Sequence, residues 1–285
     1  MMDVKFGVNT QVWFAGFSSR NFDVVPKVAK LGFDVIEISF VDPEPPFDPK
    51  ELRRRTDDAG LGVAMCGYLS ADRDIASRDP RVVEKGIAYF AGAARTAEVL
   101  GARIFCGPLY AELFRGRWLP EAERRAEWER GVAGLKQAGR ICADHGLTIA
   151  LEPLNRFETD FLNTARDAVR LVQDVGSLHV KIHLDTFHMN IEEKSLGTAI
   201  REAAGYLVHF HCCGNDRGAP GSEHVPWQEV GSALKDISYK GVIAIEGFNP
   251  GDTDLANGGK IWRPVAPSQD AVAVEGLRFL RGLLG

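Results

Sequence analysis

The chain has 285 residues, 45% hydrophobic and 26% charged, the balance of a soluble globular protein with enough length for a full core. Its 39 acidic residues exceed its 34 Lys and Arg, and no basic block stands ready to neutralise a run of phosphates, so nucleic acid is not an expected partner. No segment approaches the roughly 20 apolar residues of a membrane span, and the start MMDVKFGVNTQVWFAG lacks the long apolar stretch of a secretory signal, so no membrane partner and a cytoplasmic location are expected.

Strand-like and helix-like runs alternate from the beginning. FGVN (6–9) precedes a helical pattern in FDVVPKVAKLG, and DVIEISF (34–40) precedes DPKELRRRTDDAG. LGVAMCGY (61–68) leads to RVVEKGIAYFAGAARTAEVLG, whose apolar residues recur at three and four, and ARIFCGP (102–108) leads to EAERRAEWERGVAGLKQAGRICADHG. LTIALEP (147–153), VKIHLDT (180–186), LVHFHCC (207–213) and GVIAIEG (241–247) are each followed by a further helical run. Glycine falls just past five of these helices, at Gly32, Gly60, Gly101, Gly146 and Gly176, where a left-handed residue commonly ends a helix. Eight β-then-α units with near-continuously apolar strands fit a single-domain (β/α)8 TIM barrel over 1–285 better than an open doubly wound sheet. Neither GxGxxG nor a P-loop follows a strand, so no nucleotide cofactor is expected. Cys66, Cys106, Cys142, Cys212 and Cys213 are odd in number and lie mostly in apolar runs, as reduced core thiols do. Adjacent strand residues face opposite ways, which argues against Cys212 and Cys213 sharing a soft metal.

Four polar residues stand where the last four apolar runs end: Glu152, Asp185, His211 and Glu246, separated by 33, 26 and 35 residues. Each gap holds a loop, a helix and the next strand, and barrel strands deliver their C-terminal residues to one mouth. Glu152 alone fits a salt bridge as well as a ligand. Three carboxylates and a histidine brought together would repel or strain one another without a cation, so the set reads as a metal site. Oxygen donors with one nitrogen favour Mn²⁺ first, then Co²⁺ or Mg²⁺, with Zn²⁺ still compatible.

Each of three ligand loops carries a second polar side chain: Glu158, His188 and Arg217. These could hold substrate hydroxyls. Glu158 also fits a solvated loop acid, His188 a helix cap and Arg217 a balance for nearby acids. His183 and His209 each lie two residues before a ligand, on the same strand face, and suit hydrogen bonding beneath the metal or ordinary core packing better than direct ligation. If a hydroxyketone were chelated in this mouth, its intervening C–H would be acidified toward an enediolate. Glu152 and Glu246, at the two ends of the ligand arc, would remove a proton from one face and return one to the other, which is C3 epimerisation.

The runs ALEPLNRFETD, IHLDTFHMN, HFHCCGNDRGAPG and AIEGF, in that order, resemble the signature segments of the ketose 3-epimerases, the D-tagatose, D-psicose (D-allulose) and L-ribulose 3-epimerases of the xylose-isomerase-like barrel superfamily. The resemblance covers the whole chain and is most specific over 147–248. It implies a (β/α)8 barrel, a Mn²⁺ or Co²⁺ ion, free ketose substrates and a homo-oligomer, dimer or tetramer. It also implies metal ligation by Glu152, Asp185, His211 and Glu246, proton transfer by Glu152 and Glu246, and contacts from Glu158, His188 and Arg217 to the O1–O3 end of the sugar. One departure is Gly214, where relatives often carry an acid. For the other end of the sugar, Trp13, Cys66, Gly107 and Phe248 are candidate walls, each equally consistent with core packing. The Gly- and Pro-rich stretch 248–268 is longer than a connection requires and suits a lid or a subunit contact. Alternatives are an aldose–ketose isomerase or sugar dehydratase on a similar barrel, an abasic-site endonuclease-like hydrolase, and a sugar-binding protein without turnover.

Overall fold

The structure, a computed structural model, describes residues 2–248, 251 and 253–285. Eight parallel strands follow one another around a closed barrel: β1 Lys5–Asn9, β2 Val35–Ser39, β3 Gly62–Cys66, β4 Ile104–Gly107, β5 Thr148–Leu151, β6 Val180–Asp185, β7 Leu207–Cys212 and β8 Val242–Ile245. β8 pairs with β1 from Lys5 opposite Val242 to Val8 opposite Ile245, which removes both sheet edges. Ten helices occur among the described residues: α1 Val24–Leu31, α2 Pro49–Asp58, α3 Pro80–Leu100, α4 Glu121–Asp144, α5 Ala165–Val175, α6 Thr186–Glu192, α7 Leu196–Ala203, α8 Trp227–Asp236, α9 Thr253–Gly259 and α10 Gln269–Leu284.

Local chemistry sets the helix ends. Asp48 and Asp79 accept from the backbone N–H two residues on, each ahead of a proline that opens α2 or α3, and Thr164, Ser195 and Ser268 cap α5, α7 and α10. The five glycines read as helix stops all have positive φ, between 65° and 94°. The main core lies between sheet and helices, where Phe40, Tyr89, Phe90 and Phe105 meet at ring separations of 5.7–6.2 Å.

Two helices depart from the sequence expectation. α6 begins directly at the end of β6, over TFHMNIE and ahead of the helical run SLGTAIREAAG that follows VKIHLDT in the sequence: the Asp185 carboxylate caps it by accepting from Phe187 N–H at 2.9 Å. α9 lies within the 248–268 stretch, of which residues 249, 250 and 252 are outside the described residues. Its Leu255 packs with Phe248 and Ile261.

At the C-terminal mouth, buried Arg115 ties three loops together, bonding Asp74 after β3, Glu127 on α4 and Asp160 after β5 at 2.9–3.1 Å. Gly107, at the end of β4, has φ +124°, and a Cβ there would lie 2.1 Å from the carbonyl oxygen of Gly67. The two backbones can approach this closely only without a side chain. Gly107→Ala should therefore destabilise the protein by about 2 kcal/mol or more, whereas Gly205→Ala, with nothing within 4 Å of its Cβ position, should change stability by less than about 0.5 kcal/mol, both measured by urea unfolding.

Candidate metal and proton-transfer site

Strands β5 to β8 carry Glu152, Asp185, His211 and Glu246 to one end of the barrel. Asp185 and His211 are register partners on β6 and β7, while Glu152 and Glu246 directly follow β5 and β8. One ligand atom from each of the four lies within 4.8 Å of the others, and all four residues are buried. The donors are aimed inward. Glu152 Oε1 and His211 Nδ1 are buried with no hydrogen-bond partner among the described residues, and His211 Nδ1 is 3.6 Å from Glu246 Oε1. Unpaired buried polar atoms are costly, and a divalent cation bound by these oxygens and this nitrogen would satisfy them. The residues therefore fit the metal that the sequence reading expected.

The electrostatics agree. Burial, then Glu246 and Asp185, hold the Glu152 carboxyl well above the usual range, and burial with Glu246 nearby pushes Asp185 up to about 7 against the pull of Arg217. Burial acts the same way on Glu246, but His211 and Arg217 outweigh it and leave that carboxyl low. Burial disfavours a charged His211, yet Glu37 and Glu246 raise it well above an ordinary histidine.

The three second polar residues converge on the same mouth. Arg217 is buried, and its Nη1 donates to Glu246 Oε2 at 2.8 Å and Asp185 Oδ2 at 3.2 Å. Its Nη2 is 3.2 Å from His188 Nε2 and 3.7 Å from Glu158 Oε1. The guanidinium lies 3.7 Å from the Phe187 ring centre and 4.7 Å from that of Phe248. Arg217 holds φ at +67°, an uncommon conformation for a side-chain-bearing residue. His188 sits inside α6 rather than ahead of it; its Nδ1 accepts from Asn155 N–H at 3.1 Å, leaving Nε2 toward the mouth. Asn155 Nδ2 also steadies Glu158 at 2.9 Å. At Gly214 a Cβ would meet Glu223 Cγ and Gly218 O at 3.1 Å, so the loop is packed closely where the sequence departs from the expected acid.

A cavity of about 300 Å³ opens beside this cluster of four residues. Glu152, Glu246, Glu158, His188 and Arg217 line it, as do Cys66 and Phe248 among the candidate walls. Trp13 and Gly107 are not among its lining residues. Trp13 donates its indole N–H to Asp270 at 2.7 Å, and Gly107 backs onto Gly67. Asp254, Leu255, Gly258 and Gly259 of α9 supply the side of the cavity beyond the barrel, as a lid segment would.

One buried charge escaped the sequence reading. Glu37, in the middle of β2, is fully buried and faces His209 and His211, at 2.5 and 2.8 Å. Burial raises its pKa, but the two histidines more than offset this and hold it well below the usual carboxylate range. A glutamate between two isoleucines, in an otherwise apolar strand, was the available signal.

A family model described as xylose isomerase-like TIM barrel matches residues 25–283. The chain is 32% identical to the D-psicose 3-epimerase of Agrobacterium fabrum, over 99% of this chain and 100% of that one. It is 34% identical to the L-ribulose 3-epimerase of Mesorhizobium japonicum, over 97% of this chain and 93% of that one. The crystal structure of the D-psicose 3-epimerase of Clostridium cellulolyticum H10 with D-tagatose superposes with a TM-score of 0.90 at 32% identity, covering 99% of both chains. The fold, the converging strand ends and these full-length similarities identify the chain as a carbohydrate epimerase of the xylose isomerase-like TIM barrel family, belonging to its ketose 3-epimerases.

Proposed function

We propose that the protein epimerises free ketoses at C3 with a divalent metal, Mn²⁺ by preference and Co²⁺ or Mg²⁺ as substitutes, in pairs such as L-ribulose and L-xylulose, D-tagatose and D-sorbose, or D-fructose and D-psicose. The observation that carries this reading is the joint placement of Glu152 and Glu246 in the lining of a cavity whose barrel-side polar walls include Glu158, His188 and Arg217. Its size, about 300 Å³, is at the small end of ligand sites and suits a single sugar.

Glu152, Asp185, His211 and Glu246 would hold the cation. When bound it supplies positive charge against the enediolate oxygens that develop at C2 and C3. Arg217, His188 and Glu158 bond and orient the hydroxyls at the O1–O3 end. One of Glu152 and Glu246 removes the C3 proton and the other delivers a proton to the opposite face, with the roles exchanged in the reverse direction. The carbon skeleton stays in place while the configuration at C3 inverts. The reading includes assembly as a homo-oligomer and a cytoplasmic location; sedimentation as monomer only would remove the former.

A ketose panel assayed with and without Mn²⁺ should give C3 epimers only with metal. In deuterated water the product should carry deuterium at C3, whereas a hydride-shifting aldose–ketose isomerase would not require solvent label. Glu152→Gln and Glu246→Gln should each lower turnover by about 10²–10⁴-fold or more with the fold intact by circular dichroism, and a fully active Glu246→Gln enzyme would refute the two-base scheme.

The pKa shifts predict how metal stabilises the fold. Asp185 and Glu152 have raised values in the metal-free folded chain, so it binds more protons than the unfolded chain between the ordinary Asp value of 3.8 and about 7, and stability falls as pH rises through that window. Raised His211 loses its contribution in the same direction, at higher pH. Metal displaces these protons, so the Mn²⁺-induced increase in Tm should be larger near about pH 8 than near about pH 6, in scanning fluorimetry against an EDTA-treated control.

A further inference from the structure

One layer down the barrel axis from the cavity, Glu37, Cys106, His209 and His211 form a second buried group of metal-type donors, their ligand atoms within 4.8 Å of one another. These atoms point at each other rather than into a void. Asn9 Nδ2 at 2.7 Å and His211 Nε2 at 2.8 Å meet Glu37 Oε1, while His209 Nε2 at 2.5 Å and the Cys106 thiol at 3.4 Å meet Oε2. Every neighbour can donate, so Glu37 reads as an ionised acceptor of three hydrogen bonds, from Asn9, His211 and Cys106, with the His209 ring in close contact with its second oxygen. A second cation would have to break them.

We infer that Glu37 is the positioning residue for the proposed metal site: by accepting the Nε2–H of His211 it leaves Nδ1 as the ring's free donor toward Glu152, Asp185 and Glu246. This rests on the metal-dependent function proposed above. A neutral imidazole carries one N–H and can place it on either nitrogen. With the proton on Nδ1, 3.6 Å from Glu246 Oε1, the ring would engage Glu246 and cease to be a ligand. The bond to Glu37 decides between the two. Two neighbours keep Glu37 in place. Asn9 cannot turn its amide over, because its Oδ1 already accepts from Gln11 N–H at 2.8 Å; its Nδ2 therefore faces Glu37 and lies 3.5 Å from Glu246 Oε1, joining the inner carboxylate to the outer one. His209, two residues before His211 on β7, holds the other oxygen of Glu37.

The test compares wild type, Glu37→Gln and Glu37→Asp, all stripped of metal and titrated with Mn²⁺ and Co²⁺ against a competing chelator. Gln keeps the shape but introduces an NH₂ into a ring of donors. It should weaken both metals by about 10–100-fold and change the visible absorption of bound Co²⁺, while the ketose KM at saturating metal stays unchanged. Glu37→Asp, which keeps the charge, should recover part of the affinity. Wild-type affinity together with a wild-type Co²⁺ spectrum in Glu37→Gln would overturn the assignment. Should Glu37→Gln not fold, Co²⁺-loaded wild type answers alone: its proton NMR spectrum should contain a hyperfine-shifted His211 N–H signal that exchanges slowly into D₂O, and absence of that signal overturns the assignment. A wild-type protein that binds neither metal would remove the proposed function itself, which separates the two failures.

Discussion

Glu152, Asp185 and Glu246 bring three buried carboxylates to the ends of parallel strands, with one oxygen of each inside 4.8 Å of the others and of His211. Like charges at that distance repel strongly where the medium is less polar than water. Arg217 answers two of them directly, and Glu37 and Glu246 hold the pKa of His211 well above that of an ordinary histidine. The position of Arg217 is correspondingly expensive: it occupies left-handed backbone, its guanidinium is buried between two phenylalanine rings, and its bonds go to the outer oxygens of two ligands. Strain of this kind persists where surrounding contacts over-determine it. Here those contacts are also the cavity wall.

The same demand for compensation extends down the barrel. Glu37 in the interior would be costly as an isolated charge, and apolar residues of similar volume often fill such positions at no loss of stability. What the polar layer supplies instead is direction. Asn9, His209 and His211 each offer a donor to one carboxylate, and the bond to His211 turns that ring's other nitrogen toward the mouth. His183 plays a different part: burial and the two neighbouring histidines keep it well below its usual pKa, and its ring lies 4.0 Å from that of His211. Its Nδ1 lies 3.7 Å from Glu152 Oε2, and neither ring nitrogen has a hydrogen-bond partner among the described residues.

The barrel and the convergence of Glu152, Asp185, His211 and Glu246 were legible in the sequence because both obey spacing rules. Strand–helix alternation sets the topology, and a charged residue just after an apolar run is conspicuous wherever it occurs. Glycine signals were equally direct, since Gly32, Gly60, Gly101, Gly146 and Gly176 all lie in left-handed backbone. Glu37 was harder to see. In the middle of VIEIS it reads like the outward residue of a half-buried strand, and only the closure of the sheet makes it internal. Trp13 and Gly107 show the converse limit: both belong to strand-end segments near the mouth, but what each faces depends on partners remote in sequence, Asp270 for the Trp13 indole and the Gly67 backbone for Gly107. The α6 helix was missed because its capping residue is Asp185, already claimed as a ligand; one carboxylate does both, with Oδ1 on the helix and Oδ2 on Arg217.

The cavity divides along the same line. Its β5–β8 side is charged and fixed by bonds from Arg217 to Asp185 and Glu246 and from Asn155 to His188 and Glu158. The other side is assembled from separate pieces, including Cys66 on β3, Tyr68 and Pro108 in the following loops, Phe114, and α9. Phe114 has positive φ and is more than half exposed, and Lys260 just beyond α9 lies 5.8 Å from its ring centre. Loops on a rigid scaffold can change with little effect on what the scaffold holds. The end of a ligand at the charged wall is therefore constrained by chemistry, and the far end by shape. On the proposed function, residues of the β3 and β4 loops and of α9 would then set which sugar fits, while Arg217 holds Asp185 and Glu246 at the charged wall.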